Sequence, residues 1–107
     1  MRSILHREVF LKDPNINIIL DIIALQTEGQ KKYCIKSFTI FPLSPLEAEL
    51  IVEKFNQNLV WYYLGENKIV FYPQKIGKLC FFTMEDIENI IVNSIIECIR
   101  LDVSKNM

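Results

Sequence analysis

The first half of the chain has the apolar pattern of β-strands. The segment INIILDIIALQ is rich in β-branched residues, and KYCIKSFTIF follows it after a glycine-containing turn. We interpret the two segments as a hairpin, although the isoleucine-rich run also fits a buried helix. The preceding SILHREVFL is either a first strand or an irregular arm, because Asp13 and Pro14 break the chain after it. Residues 1–14 are therefore predicted to form an edge strand or an arm.

Two later segments carry the start signals of helices. In PLSPLEAELIVEKFNQ, Ser44 is the expected N-cap, Pro45 takes the first helical position and Glu47 completes a capping box. In TMEDIENIIVNSIIECIRLD, Thr83 is the expected N-cap, and acidic residues follow it in the first turn. Both segments are predicted to be helices.

The segments NLVWYYL and KIVFYP, between the two helices, predict a second hairpin, and KLCFF predicts a short strand. The fold class is then α+β, with an antiparallel sheet of about five strands and two main helices in the order β-β-α-β-β-(β)-α. No linker or low-complexity tract divides residues 1–107, so the chain is predicted to be a single domain.

The second hairpin is unusually aromatic, and its turn could centre on Gly65-Glu66 or on Glu66-Asn67. Both turns give the same alternation of side chains, because strands alternate with a period of two residues. One predicted face is the core, formed by Val60, Tyr62, Ile69 and Phe71. The other face is still apolar, and it consists of Trp61, Tyr63, Val70 and Tyr72. This second face is covered by another layer of the chain, binds a protein, or stacks on a nucleic acid or small ligand.

The last helix is predicted to carry more apolar surface than one core contact needs. Its apolar residues spread over an arc of roughly 200°, whereas an amphipathic surface helix needs about 100°. The excess comes mainly from Val92, Ile96 and Ile99. Either another part of the chain covers these residues, or they belong to an interface with a protein partner.

Composition narrows the possible partners and the location. The 107 residues carry a net charge of −1, which argues against a dedicated binder of nucleic acid phosphates. The apolar runs are too short to span a bilayer, and no secretory signal pattern is present at the start, so we expect a cytoplasmic protein without membrane contact. The three cysteines lie far apart without a C-x-x-C pair, and each is expected to be a buried thiol.

Catalytic chemistry is sparse in the sequence. His6 is the only histidine, so any Ser-His-Asp or Cys-His relay would have to use it, and a half-exposed strand position is the simpler interpretation. Asp21, within the isoleucine-rich run, is expected at an exposed polar position. No nucleotide-binding glycine motif or metal-ligand spacing is present. We therefore expect a protein that is not an enzyme, with no catalytic residues, metal or cofactor.

The second half of the chain resembles the YbjN-like and type III secretion chaperone-like group. The resemblance is carried by the order of EKFNQNL, the hairpin VWYYLGENKIVFYP, a short strand and the final helix opened by TMEDIENII. With the preceding strand pair it covers about 85 residues, by pattern rather than by a diagnostic motif. The resemblance implies a non-catalytic, often homodimeric protein-binding domain. The first segment departs from it, since secretion chaperones usually begin with a helix.

The sequence thus predicts a protein-interaction module that is chaperone-like and self-associating. Trp61, Tyr63, Val70 and Tyr72 of the hairpin and Val92, Ile96 and Ile99 of the last helix are its candidate partner-binding residues. One alternative is an immunity or inhibitor protein that binds a toxin or enzyme. Another is a binder of nucleic acid or a small ligand that uses the aromatic sheet face.

Overall fold

One antiparallel sheet contains every strand of the computed structural model, which describes residues 2–12, 15–75 and 79–105. Its strands follow the order β1-β2-β3-β5-β4, and β6 pairs with a separate part of β3. The α+β class with two helices is confirmed, and the first segment is an edge strand rather than an arm. The elements are β1 (Arg2–Lys12), β2 (Asn15–Thr27), β3 (Gln30–Phe41), α1 (Pro45–Lys54), β4 (Leu59–Gly65), β5 (Lys68–Pro73), β6 (Cys80–Phe81) and α2 (Met84–Lys105).

Both helices begin where their capping residues predict. The backbone N–H of Glu47 donates to Ser44 Oγ at 3.2 Å, and the Glu47 carboxylate accepts from the Ser44 N–H at 3.0 Å. At the start of α2, the backbone N–H of Asp86 donates to Thr83 Oγ1 at 3.1 Å. These bonds satisfy donors that the first turn of a helix leaves without intrahelical partners. Within the described residues, neither helix combines the length and apolar character that a membrane crossing needs.

The core lies between the helices and one face of the sheet. A row of directly paired residues on this face crosses all five main strands, from Arg7 through Leu20, Phe38 and Phe71 to Trp61. Phe38 and Phe71 have no exposed surface, and their rings stack with centroids 4.8 Å apart. The centre of the row therefore lies within the hydrophobic core, whose burial stabilises the fold.

The two ends of this row contact different helices. Arg7 Nε on edge strand β1 lies 3.8 Å from Glu88 Oε1 of α2. Trp61 Nε1 on edge strand β4 donates to Glu49 Oε1 of α1 at 2.9 Å. Each helix is thereby linked to one edge of the sheet as well as to the core.

The cysteines do not all behave as predicted. Cys34 and Cys80 are directly opposed on β3 and β6 and form a disulfide, so the prediction of three free buried thiols is wrong for these two. Their pairing depends on strand register between residues separated by 46 positions, which the cysteine spacing alone does not reveal. Cys98 is free and buried, as predicted, and burial raises the pKa of its thiol.

Loss of the disulfide is expected to destabilise the protein. For a loop that spans 46 positions, the chain-entropy model gives a stabilisation of about 4 kcal/mol. We expect the Cys34→Ala/Cys80→Ala variant to lose roughly 3–4 kcal/mol of unfolding free energy, measured by urea denaturation. Reductant should destabilise the native protein and leave the double variant unchanged. An identical urea midpoint for the native protein with and without reductant would contradict the stabilising role.

Candidate functional site

The sheet face opposite the helices is called the open face here. A second row of paired residues crosses it through all five main strands: Glu8, Ile19, Thr39, Val70 and Tyr62. Large apolar side chains on this face remain exposed, and they are Ile4 at 57 %, Phe10 at 56 %, Tyr62 at 58 % and Tyr72 at 41 %. The described chain therefore provides no complete second layer over the open face, in contrast to one of the three predicted arrangements.

The predicted division of the aromatic hairpin into two faces is wrong. Leu64 is an extra residue in β4: Tyr63 pairs with Ile69, whereas Gly65 pairs with Lys68. The turn is Glu66-Asn67, one of the two predicted centres, and both residues have positive φ. Because a one-residue bulge reverses the relation between the faces of the two strands, the expected alternation fails. The helix-facing set is Trp61, Tyr63, Ile69 and Phe71, and the open-face set is Val60, Tyr62, Val70 and Tyr72.

The four hairpin candidates consequently lie in two environments. Trp61 is half-buried against the core, and its indole N–H donates a hydrogen bond to the Glu49 carboxylate. Tyr63 is 51 % exposed, and its hydroxyl accepts a hydrogen bond from the Asn67 backbone N–H at 3.1 Å. Val70 and Tyr72 share the open face. The Tyr72 ring meets the Tyr62 ring edge to face at 5.9 Å, and Val70 beside them is 6 % exposed. The structure brings Val70 together with Tyr72, and places Trp61 and Tyr63 on the other side of the sheet.

The candidate residues on α2 pack mainly against other parts of the same chain. Ile99 is 6 % exposed and belongs to the hydrophobic core. Val92 is partly buried against that core, and Ile96 is half-buried. The excess apolar arc of α2 is thus covered to a large extent within the chain, which was the first of the two predicted explanations.

Sequence reasoning missed the contribution of β1 to the open face. Ile4 and Phe10 lie there because side chains two positions apart share one face of a strand. The alternation of apolar residues in β1 is interrupted on the helix-facing side by Arg7, which pairs with Glu88. If Arg7 is accepted as a charged residue on the helix-facing side, the alternation of β1 places Ile4 and Phe10 on the opposite face as exposed apolar residues.

The polar residues of the open face are concentrated on β1 and β2. His6 Nδ1 lies 2.9 Å from Asp21 Oδ1, and His6 Nε2 lies 3.7 Å from Glu8 Oε1. The Asp21 side chain is 39 % exposed and the residue as a whole is half-buried, so the predicted exposed polar position is reached only in part. The hydrogen bond to Asp21 is the largest cause that raises the pKa of His6, with a smaller contribution from Glu8.

This cluster does not have the geometry of a serine relay. Asp21 pairs with His6 on one side and with Ser37 on the other, so the carboxylate lies in the middle of the row. A Ser-His-Asp relay needs the imidazole between the hydroxyl and the carboxylate. Two strand spacings, about 10 Å, separate the histidine and serine positions here. Within residues 2–12, 15–75 and 79–105, no group of three or more His, Cys, Asp or Glu side chains could hold a metal ion.

A groove of about 300 Å³ runs between β1 and β3 on the open face. Phe10 and Phe41 lie on its two sides, Asn17 and Ile19 of β2 lie between them, and Glu8 completes the lining. The Lys68 ammonium lies 4.8 Å from the centroid of the Phe41 ring. The groove therefore offers aromatic walls, one amide and a carboxylate to an inserted side chain.

Comparisons of the chain with protein-family models, with curated proteins and with solved structures found no match. The resemblance to the YbjN-like and type III secretion chaperone-like group therefore stays a prediction. The candidate site rests on the geometry of the open face alone.

The Leu64 bulge can be tested by deletion. Removal of Leu64 leaves Tyr63 opposite Ile69 and Gly65 opposite Lys68, so the hairpin becomes regular and Trp61 keeps its place opposite Phe71. Because no core side chain is lost, we expect the deletion to change the unfolding free energy in urea denaturation by no more than about 1 kcal/mol. The matched control is Leu64→Ala, which keeps the bulge and should change stability by no more than about 0.5 kcal/mol. A loss of roughly 3 kcal/mol or more in the deletion variant, as for loss of a large core side chain, would refute the assignment of Leu64 as the extra residue.

The environment of His6 predicts a pH effect. We expect an NMR titration of the His6 ring to give a pKa above 6.5, and Asp21→Asn to lower it more than Glu8→Gln does. Because the pKa is raised in the folded protein, the stabilising contribution is fully present below the unfolded pKa, and it is lost as the pH rises through the folded pKa. Unchanged titration in the Asp21→Asn variant would contradict the assignment of the shift to this pair.

Proposed function

We propose that the protein is a non-catalytic protein-interaction module that self-associates through the open face of its sheet. The supporting observation is the exposure of Ile4, Phe10, Tyr62 and Tyr72 on a face that the helices do not cover. Removal of apolar surface from water is favourable, and it lowers the free energy by about 25 cal/mol per Å². Several large apolar side chains exposed on one uncovered face of a sheet are therefore typical of a binding surface.

The proposed occupant is a second copy of the chain, packed sheet against sheet. Two sheets can pack face to face about 10 Å apart with interdigitating side chains, which suits a broad open face. Charges of both signs lie on the β1–β2 half, where Lys12 shares the open face with Glu8 and Asp21. The proposal therefore rests on the exposed apolar side chains and not on charge.

The two alternative functions have less support. The open face carries Glu8 and Asp21 together with His6, Lys12 and Lys68, so it is not the predominantly basic surface that binds nucleic acid phosphates. An inhibitor or immunity role uses the same apolar surface for a different protein, and it stays a prediction, as does the chaperone-like role. A cytoplasmic location is likewise a prediction from the sequence; the Cys34–Cys80 disulfide is of a kind more common in oxidising compartments.

Self-association can be measured by gel filtration with light scattering. We expect a dimer at roughly 100 µM protein, and we expect Tyr72→Glu to raise the dimer dissociation constant about tenfold or more, because it buries a charge without a partner. The matched control is Leu46→Glu. Leu46 is 64 % exposed on α1, outside the open face, and its replacement should leave the dimer unchanged.

Three results would count against this function. The first is a native protein that stays monomeric over the whole concentration range. The second is a dimer that Leu46→Glu weakens as much as Tyr72→Glu does. The third is a dimer that survives Tyr72→Glu unchanged, since the interface would then lie elsewhere.

A further inference from the structure

We infer that the Cys34–Cys80 disulfide is a redox switch, whose reduction releases β6 from β3 while β1–β5 and both helices stay folded. The two cysteines are directly opposed in the ladder between β3 and β6. Among the described strands, β6 pairs with β3 alone. The bond therefore ties this short strand to the rest of the sheet. The inference does not depend on the proposed self-association, because the switch operates within one chain.

Few other contacts hold β6 in place. The strand has two residues, and next to it the Ile35 N–H donates to the Leu79 carbonyl at 2.9 Å. Leu79 and Phe81 are only partly buried against the core, and Phe82 after the strand is 64 % exposed. Segments with few backbone hydrogen bonds and little buried apolar surface open at a low cost in free energy. The disulfide is thus the main restraint on β6.

The rest of the fold is held by contacts in which β6 takes no part. Along the opposite side of β3 runs the ladder with β2, and Phe38–Ile40 of β3 pair with Ile69–Phe71 of β5. Three isoleucines of α2 have no exposed surface and belong to the core: Ile87, Ile91 and Ile95. Because these ladders and this packing remain when β6 leaves, reduction is expected to open one segment rather than to unfold the domain.

The exposure of the two cysteines indicates where a reductant attacks. Cys80 is half-buried, whereas Cys34 is 3 % exposed. A thiolate of a dithiol reductant attacks Cys80 Sγ, the S–S bond breaks, and Cys34 Sγ leaves as a thiolate. The second thiolate of the reductant attacks its own sulfur in the mixed disulfide and releases Cys80 Sγ. Both cysteines take protons from water, and the two electrons come from the dithiol, which becomes a disulfide.

Release of β6 changes the edge that β3 presents. The Ile35 N–H loses its acceptor on Leu79, and the stretch that paired with Cys80–Phe81 has no partner strand on that side. Unpaired N–H and C=O groups along a strand form an edge to which another strand can add. The reduced protein therefore differs from the oxidised protein by one exposed section of sheet edge.

The rate of cysteine alkylation in the reduced, folded protein tests the switch. Cys98 is the matched internal control, because it is 3 % exposed, as Cys34 is, and lies on α2 rather than beside β6. Opening of β6 uncovers Cys34 and leaves Cys98 buried. After reduction with dithiothreitol, we expect iodoacetamide to modify Cys34 at least about tenfold faster than Cys98, as measured by mass spectrometry of the peptides.

Hydrogen exchange gives a second measurement that needs no alkylation. We expect reduction to raise the exchange rate of the Ile35 amide, relative to the amides of the β3–β5 ladder, by about tenfold or more. The ratio separates local opening from a general loss of stability, which would accelerate both sets. The Cys34→Ala/Cys80→Ala variant should show the ratio of the reduced protein, with or without reductant.

Three results would overturn the inference. The first is a disulfide that dithiothreitol does not cleave while the protein is folded. The second is equal alkylation of Cys34 and Cys98 after reduction, since equally fast rates mean that the whole domain unfolds and equally slow rates mean that β6 stays in place. The third is an Ile35 exchange ratio that reduction leaves unchanged. The oligomeric state of the protein, which decides the proposed function, enters none of these results.

Discussion

The stacking of Phe38 on Phe71 joins the two strand units of the domain. The unit β1–β3 and the hairpin β4–β5 share only a short ladder, in which Phe38–Ile40 pair with Ile69–Phe71. Both rings are fully buried, and the Phe55 ring that follows α1 lies 6.4 Å from Phe38. The relative orientation of the two units therefore depends on this contact.

The elements with local signals could be predicted from the sequence. Each helix start depends on residues within four positions, such as Ser44 with Glu47, and the bonds formed in the structure are those that the capping rules describe. The strands of both hairpins follow from β-branched and aromatic runs bounded by turn residues. Two strands remained ambiguous. The isoleucine-rich run of β2 also fits a buried helix, and in β1 Arg7 occupies a helix-facing position in the middle of the apolar alternation.

The faces of the sheet could not be predicted, because they depend on strand register. Because Leu64 is an extra residue in β4, Tyr62 lies on the open face and Trp61 faces the helices. A leucine in a strand gives no signal in the sequence that predicts a bulge. The Cys34–Cys80 pair has the same origin, since it requires β6 to meet a particular part of β3. Local alternation gives the two sides of one strand, whereas the relation between strands is a property of the assembled sheet.

The edges of the sheet bear on how copies of the chain could associate. Edge strand β1 carries charged residues such as Arg7 and Glu8, and edge strand β4 contains the Leu64 bulge, both of which discourage pairing with another strand. Edge-to-edge growth would also be open-ended, because it could continue from either side. In the proposed dimer, contact through the open face would cover exposed apolar surface in a single two-fold contact and would close the assembly. The same features that protect the edges thus leave the face as the extended apolar surface through which a discrete dimer could form.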